Sequence, residues 1–134
     1  AATHWGGRRD GVTSQTTPDS LFNRKDWFAE AGLEPPSTTD EVLAAARALH
    51  DPRRGRYGVT WNAARGTALG HEFMMACAAC GQPVINLKPN AGGFDADVAH
   101  RRALVPTIDT PAALDAAEDL KALLESSPPL ILST

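Results

Sequence analysis

The stretch RYGVTWNAARGTALGHEFM, residues 56–74, decides how this chain is built. Tyr57 to Trp61 alternates and is rich in strand formers, which predicts a β-strand. Thr67 to Cys80 then carries Leu69, Phe73, Cys77 and Cys80 on one stripe, which predicts a helix closed by Gly81. Between them lies a polar loop holding Asn62, Arg65 and Gly66. A strand–loop–helix unit of this kind places its loop at the carboxyl end of the strand, where open α/β folds take ligands. The same loop also serves equally well as a plain turn with a surface Arg and a packed Trp.

Outward from this unit the pattern repeats. Arg24 to Ala31 is predicted as a short helix, ended by Gly32 and barred from continuing by Pro35-Pro36, with a short strand over Ser20 to Asn23 before it. Thr38 followed by Glu41 has the spacing of a capping box, and Val42, Leu43, Ala46 and Leu49 recur behind it at helical period. Pro52 and Gly55 end that helix. PVINL and RALVPTID are strand candidates around the turn PNAGGFD. Thr110 and Pro111 open a last helix whose apolar stripe is read as Leu114, Ala117, Leu120, Lys121 and Leu124, and SSPP stops it. Strands alternating with helices of this length make an α/β domain, helix-rich with a small mixed sheet.

Composition narrows the function. The 134 residues, 43% of them apolar, suffice for one domain with a core. A net charge of −3 gives no bulk basicity to recruit nucleic acid or an anionic membrane. The short basic clusters Arg8-Arg9, Arg53-Arg54-x-Arg56 and Arg101-Arg102 are interleaved with acids and read as solvated surface. No apolar run reaches the length of a membrane span.

The chemical motifs fall away one by one. His71-Glu72 would need a second His at position 75 to ligate zinc from one helix face, and Met75 stands there. Cys77 and Cys80 have the gap of a redox motif, but at the wrong end of the helix to activate a thiolate, so both are expected in the core. Gly66 and Gly70 lack the Gly-Lys-Ser/Thr ending of a phosphate loop. The carboxylate pairs Asp95/Asp97 and Glu118/Asp119 have no partner to split their pKa values. No metal or cofactor is implied. What remains is the loop: Asn62 both donates and accepts, Arg65 offers a rigid fork of donors, free N–H groups open the helix, and Trp61 supplies a face for stacking on a sugar ring.

In order and spacing, LFNRKDWFAEAGLEPPSTTDEVLAAARAL, RYGVTWNAARGTALGHEFM and FDADVAHRRALVPTIDTPAALDAAEDLKALL resemble family 1 of the extracellular solute-binding proteins of bacterial ABC importers. These are sugar and polyol receptors related to maltose-binding protein. Members commonly read tyrosine-asparagine-lysine-aspartate-leucine-phenylalanine near positions 22 to 28, followed by a paired-proline linker. Trp27 stands where leucine is common, and Thr39 where tryptophan is usual. The resemblance covers roughly residues 10 to 127 and implies one lobe of the periplasmic-binding-protein type II fold.

On that resemblance, residues 1–18 (with DGVTSQTT) are a hinge-crossing segment and residues 19–134 are part of the C-terminal lobe. The N-terminal lobe would then be absent. The ligand-binding residues implied are Asn62, Arg65 and Gly66, then Trp61, with Gln15 and Thr16 at the hinge. The expected role is to bind a sugar or polyol in an interlobe cleft and deliver it to permease subunits, in the periplasm or outside the cell and membrane-associated through the transporter. A single lobe supplies half of the contacts, so weak or undetectable binding by this chain alone is expected, and an exposed lobe interface allows association. The alternatives are a small α/β enzyme using Arg65 with His71 or an acidic partner, and a regulatory sensor domain reusing the receptor fold.

Overall fold

The computed structural model describes residues 4–5, 8–9, 11–12, 14, 19–90, 93–95 and 104–133. In chain order the elements are strands β1 (His4–Trp5) and β2 (Arg8–Arg9), then helices α1 (Lys25–Ala31), α2 (Thr39–Leu49) and α3 (Thr67–Ala79). Strands β3 (Lys88–Asn90) and β4 (Gly93–Asp95) and helix α4 (Pro111–Glu125) complete them. Short 3₁₀ turns cover Pro52–Arg54 and Pro129–Leu132.

Each helix boundary follows from local chemistry. Gly32 closes α1 at φ 65, a left-handed position, and its N–H reaches back to the Phe28 and Ala29 carbonyls. At the start of α2 the Glu41 N–H donates to Thr38 Oγ1 at 3.2 Å. Glu41 Oε2 in turn accepts from the Thr38 N–H at 3.2 Å and from the N–H and hydroxyl of Ser37 at 2.7 and 2.9 Å. The Ser37 and Thr38 bonds hold the Glu41 carboxyl below its ordinary range.

Thr38→Ala is therefore expected to cost about 1 kcal/mol in denaturant melts. Because the folded-state pKa of Glu41 is depressed, its contribution is present above the unfolded value and lost as pH falls through the folded one. The wild-type advantage over Glu41→Gln should shrink on acidification across that window.

Helices α3 and α4 make the core. Cys77, Ala113 and Ala116 are buried at 1%, 4% and 0% exposure, and Phe73, Ala76, Cys80 and Val84 pack on them. Both cysteines are thus packing residues, as their helical position implies. Burial pushes both thiols up, with Asp119, Asp115 and Cys77 adding to the effect at Cys80. A thiol held protonated is a poor nucleophile. The α4 stripe is rotated from the expected one: Ala113 and Ala116 face the core, while Leu114 is 61% exposed. Small side chains let the two helix backbones approach, and α4 turns its alanines inward.

Two expected strands do not form. Ser20–Asn23 carries no strand and pairs with nothing among the described residues, and Phe22 is 91% exposed. Tyr57–Trp61 is held differently. The Gly58 and Val59 N–H groups both donate to the Ser126 carbonyl, at 2.9 and 3.2 Å, so the segment is tied to the end of α4 instead of laddering with a strand. The described strands form two antiparallel two-stranded ribbons, β1–β2 and β3–β4, and among the described residues there is no mixed sheet.

PVINL and RALVPTID do meet, through one antiparallel bridge, Ile85 to Pro106. The Asn86 N–H donates to Val105 O at 3.1 Å and the Thr107 N–H to Val84 O at 2.9 Å on either side of it. Arg56 departs from the solvated-surface reading. Its guanidinium pairs with Glu30 at 2.9 Å and lies 5.0 Å from the Trp27 ring centre, with Arg24 4.7 Å from that ring. Two cations on one indole suit a Trp at this position, since the ring quadrupole attracts each.

Candidate functional site

The loop between Trp61 and α3 is anchored from beneath and open above. Ala63 is 1% exposed and works as the plug, and its N–H donates to the Trp61 carbonyl at 3.1 Å. Asn62, Arg65 and Gly66 all stand on the solvent side. Gly66 has φ 104, a conformation that side chains with a Cβ rarely adopt, and this lets the chain reverse into α3. No side chain caps that helix start; the Leu69 N–H finds Ala64 O at 3.1 Å and the Gly70 N–H finds Gly66 O at 3.0 Å. The first N–H groups of any helix have no acceptor within the helix itself.

Arg65 forms no ion pair among the described residues. With Ala63, Leu69, Leu132 and Ser133 it lines an open cleft of about 670 Å³. A second, more apolar groove of about 330 Å³ runs between the 20–24 segment, α1, α2 and residues 57–60. Its apolar lining includes Leu21, Phe22, Trp27, Phe28 and Leu49, with Asn23, Arg24 and Thr60 as polar side chains. Of the loop residues Trp61, Asn62, Arg65 and Gly66, only Arg65 lines its cleft, with Ser133 as the other polar side chain there.

Trp61 differs from its neighbours in the loop. It is half-buried, and its indole Nε1–H donates to Ser127 Oγ at 3.2 Å. Ser127 Oγ donates onward to Leu123 O at 2.7 Å. Next to it, the Ser126 carbonyl accepts from Gly58, Val59 and His50 Nδ1, the last at 3.0 Å. His50 also meets the Tyr57 ring edge-on at 5.8 Å.

The pair Ser126-Ser127, which sequence reading takes only as a helix stop, is a buried polar junction joining α2, the 57–61 segment and α4. The available signal was two small hydroxyl residues between a helix and Pro128-Pro129. Leu132 and Ser133 are likewise additions to the site that nothing in the sequence marks. Gln15 and Thr16 lie outside the described residues, as does most of the 1–18 segment.

The other candidates stay apart. His71 is exposed on α3, six residues beyond Arg65. Asp119 has its carboxyl pushed up by burial first and then by the neighbouring acids Asp40, Asp115 and Glu118. Among the described residues no three His, Cys, Asp or Glu side chains converge as metal ligands. No helix among them is long and apolar enough to cross a membrane.

No family model matches this chain, and no curated protein does. Among solved structures, it is similar to an ABC transporter solute-binding protein from Agrobacterium radiobacter K84 in complex with ribitol. The two share 26% identity with a TM-score of 0.64, over 83% of this chain and 24% of the other. The chain thus spans about a quarter of that protein's length, and across most of its own residues it has the fold of part of an ABC transporter solute-binding protein.

Proposed function

We propose that this chain is the ligand-binding wall of a solute receptor for a sugar or polyol, acting without chemical transformation of its ligand. The observation that carries this reading is the structural likeness to a receptor solved with ribitol. The donor-rich loop at the start of α3 supports it independently. A polyol is uncharged and densely hydroxylated, so it is recognised by many oriented hydrogen bonds and little else. Asn62, Arg65, Gly66 and Trp61 would supply these contacts on this side, with Gln15 and Thr16 beside the hinge.

Closure against a second lobe would exclude water and add the opposite wall. Residues 1–18 would be the hinge crossing and 19–134 the partial C-terminal lobe. Delivery to permease subunits of an ABC importer, in the periplasm or outside the cell, follows from the same reading.

Thermal melts against polyols, sugars, amino acids and peptides test the ligand class. A ligand at ten times a millimolar Kd adds about 1.4 kcal/mol, or several degrees of Tm for a domain of this size. Ribitol or a related polyol or sugar should raise the Tm. A shift with an amino acid or peptide, and with no polyol or sugar, would overturn the assignment.

A further inference from the structure

We propose that Ser127 is the positioning residue of the ligand-facing loop, acting through Trp61 to set the conformation in which Asn62, Arg65 and Gly66 are presented. The inference rests on the reading of that loop as a binding wall, and it adds the residue that shapes it from outside the cleft.

Serine carries one donor and two acceptor positions, whereas an indole N–H only donates. The Ser127 proton is committed to Leu123 O at 2.7 Å, inside the last turn of α4. Its lone pairs are therefore oriented by the helix, and one of them receives the Trp61 Nε1–H at 3.2 Å. The bond has a single polarity and cannot be reversed.

Ser127 is 8% exposed, so water competes poorly for either partner. One residue earlier in the chain, the Ser126 carbonyl holds the Gly58 and Val59 N–H groups. The strand-like segment is consequently fastened at 58, 59 and 61 to two adjacent residues just past the end of α4.

From Trp61 the constraint passes directly into the loop. The Trp61 carbonyl accepts the Ala63 N–H at 3.1 Å, and Ala63 is buried. A rotation of Trp61 about its backbone would break that bond or lift Ala63 from its seat, and either would move Asn62 and the residues leading to Gly66. Ser126 provides an internal contrast, because its tie to the segment is made by its backbone carbonyl, which a side-chain substitution leaves in place.

Amide and indole resonances of ¹⁵N-labelled protein test this directly. The chain has three tryptophans, so Trp61→Phe, which keeps an aromatic ring and deletes the N–H, assigns the Trp61 indole signal. Ser127→Ala should shift that signal and the amides of residues 61–66. Trp61→Phe should shift the same amides, Ser126→Ala should leave them in place, and Ser127→Thr, which keeps the hydroxyl, should restore them.

Against ribitol, each of Ser127→Ala and Trp61→Phe should weaken binding about 3- to 10-fold, as expected for one buried hydrogen bond. The double variant should be no weaker than the worse single one, because the two residues act as one unit. An unmoved indole signal and unmoved loop amides in Ser127→Ala would overturn the proposal, and so would losses that multiply in the double variant. If ribitol binds without touching residues 61–66, the loop's role as a binding wall fails. The indole and amide shifts then still decide whether Ser127 sets the loop.

Discussion

Gly58→Ala is expected to cost about 3 kcal/mol or more, or to prevent folding altogether. A Cβ at this position would stand 1.8 Å from the Ala46 carbonyl oxygen, 2.6 Å from its carbon and 2.9 Å from Ala46 Cα. All three are backbone atoms in the middle of α2, so no rotamer change relieves the clash. Helix α2 cannot retreat easily, since Leu43, Ala45 and Ala46 are buried on that side.

The alternative is for residues 57–61 to move away. That would break the Gly58 and Val59 bonds to Ser126 O and unseat Trp61 from Ser127. Gly70 offers the opposite case. It lies within α3 with nothing within 4 Å of a Cβ, so Gly70→Ala should raise stability by up to about 1 kcal/mol. Urea melts of the two variants should therefore move in opposite directions. Equal, small effects would mean that the 57–61 segment does not pack on α2 as described.

Arg65→Ala is expected to weaken polyol binding about 10- to 100-fold, the range for a hydrogen bond made by a charged group. The fold should be untouched. Arg65 is exposed and forms no ion pair among the described residues, so the change in stability should lie within about 0.5 kcal/mol. Arg65→Lys should recover only part of the affinity, because an ammonium keeps the charge but loses the planar fork that can span two neighbouring hydroxyls. Calorimetric titration alongside a denaturant melt separates the two outcomes. A parallel loss of stability would make Arg65 a structural residue and move the site elsewhere.

The parts of this fold that were legible in the sequence are those decided within a few residues. Thr38 and Glu41 meet across one helical turn, Thr110 caps α4 by accepting the Ala113 N–H, and Pro111 follows it at the first helical position. Gly32 ends α1 because its own backbone can turn left-handed. Each needs no distant partner, so its spacing alone is informative.

Strands are different, because alternation shows only that a segment suits a ladder and says nothing of whether one is there. Ser20–Asn23 and Tyr57–Trp61 have strand-like sequences, yet the first has no pairing partner among the described residues and the second finds a helix end. The α4 face was misjudged for a related reason. Leucines draw attention in a hydrophobic pattern, but the close contact with α3 is made at Ala113 and Ala116.

The position of the candidate loop was legible, because a glycine before a helical pattern marks where a chain turns. Its support was not. Ser127 lies 66 positions from Trp61, and nothing local to either residue announces the bond between them.

The central claim is that residues 61–66 form one wall of a polyol site, and amide shift mapping during a ribitol titration tests it most directly. The account predicts saturable shifts that concentrate on Asn62, Arg65 and Gly66 and on the Trp61 indole, with α1 and the far end of α4 unmoved. Saturable shifts that instead cluster in the apolar groove beside Leu21, Phe22 and Leu49, with the loop silent, would contradict it.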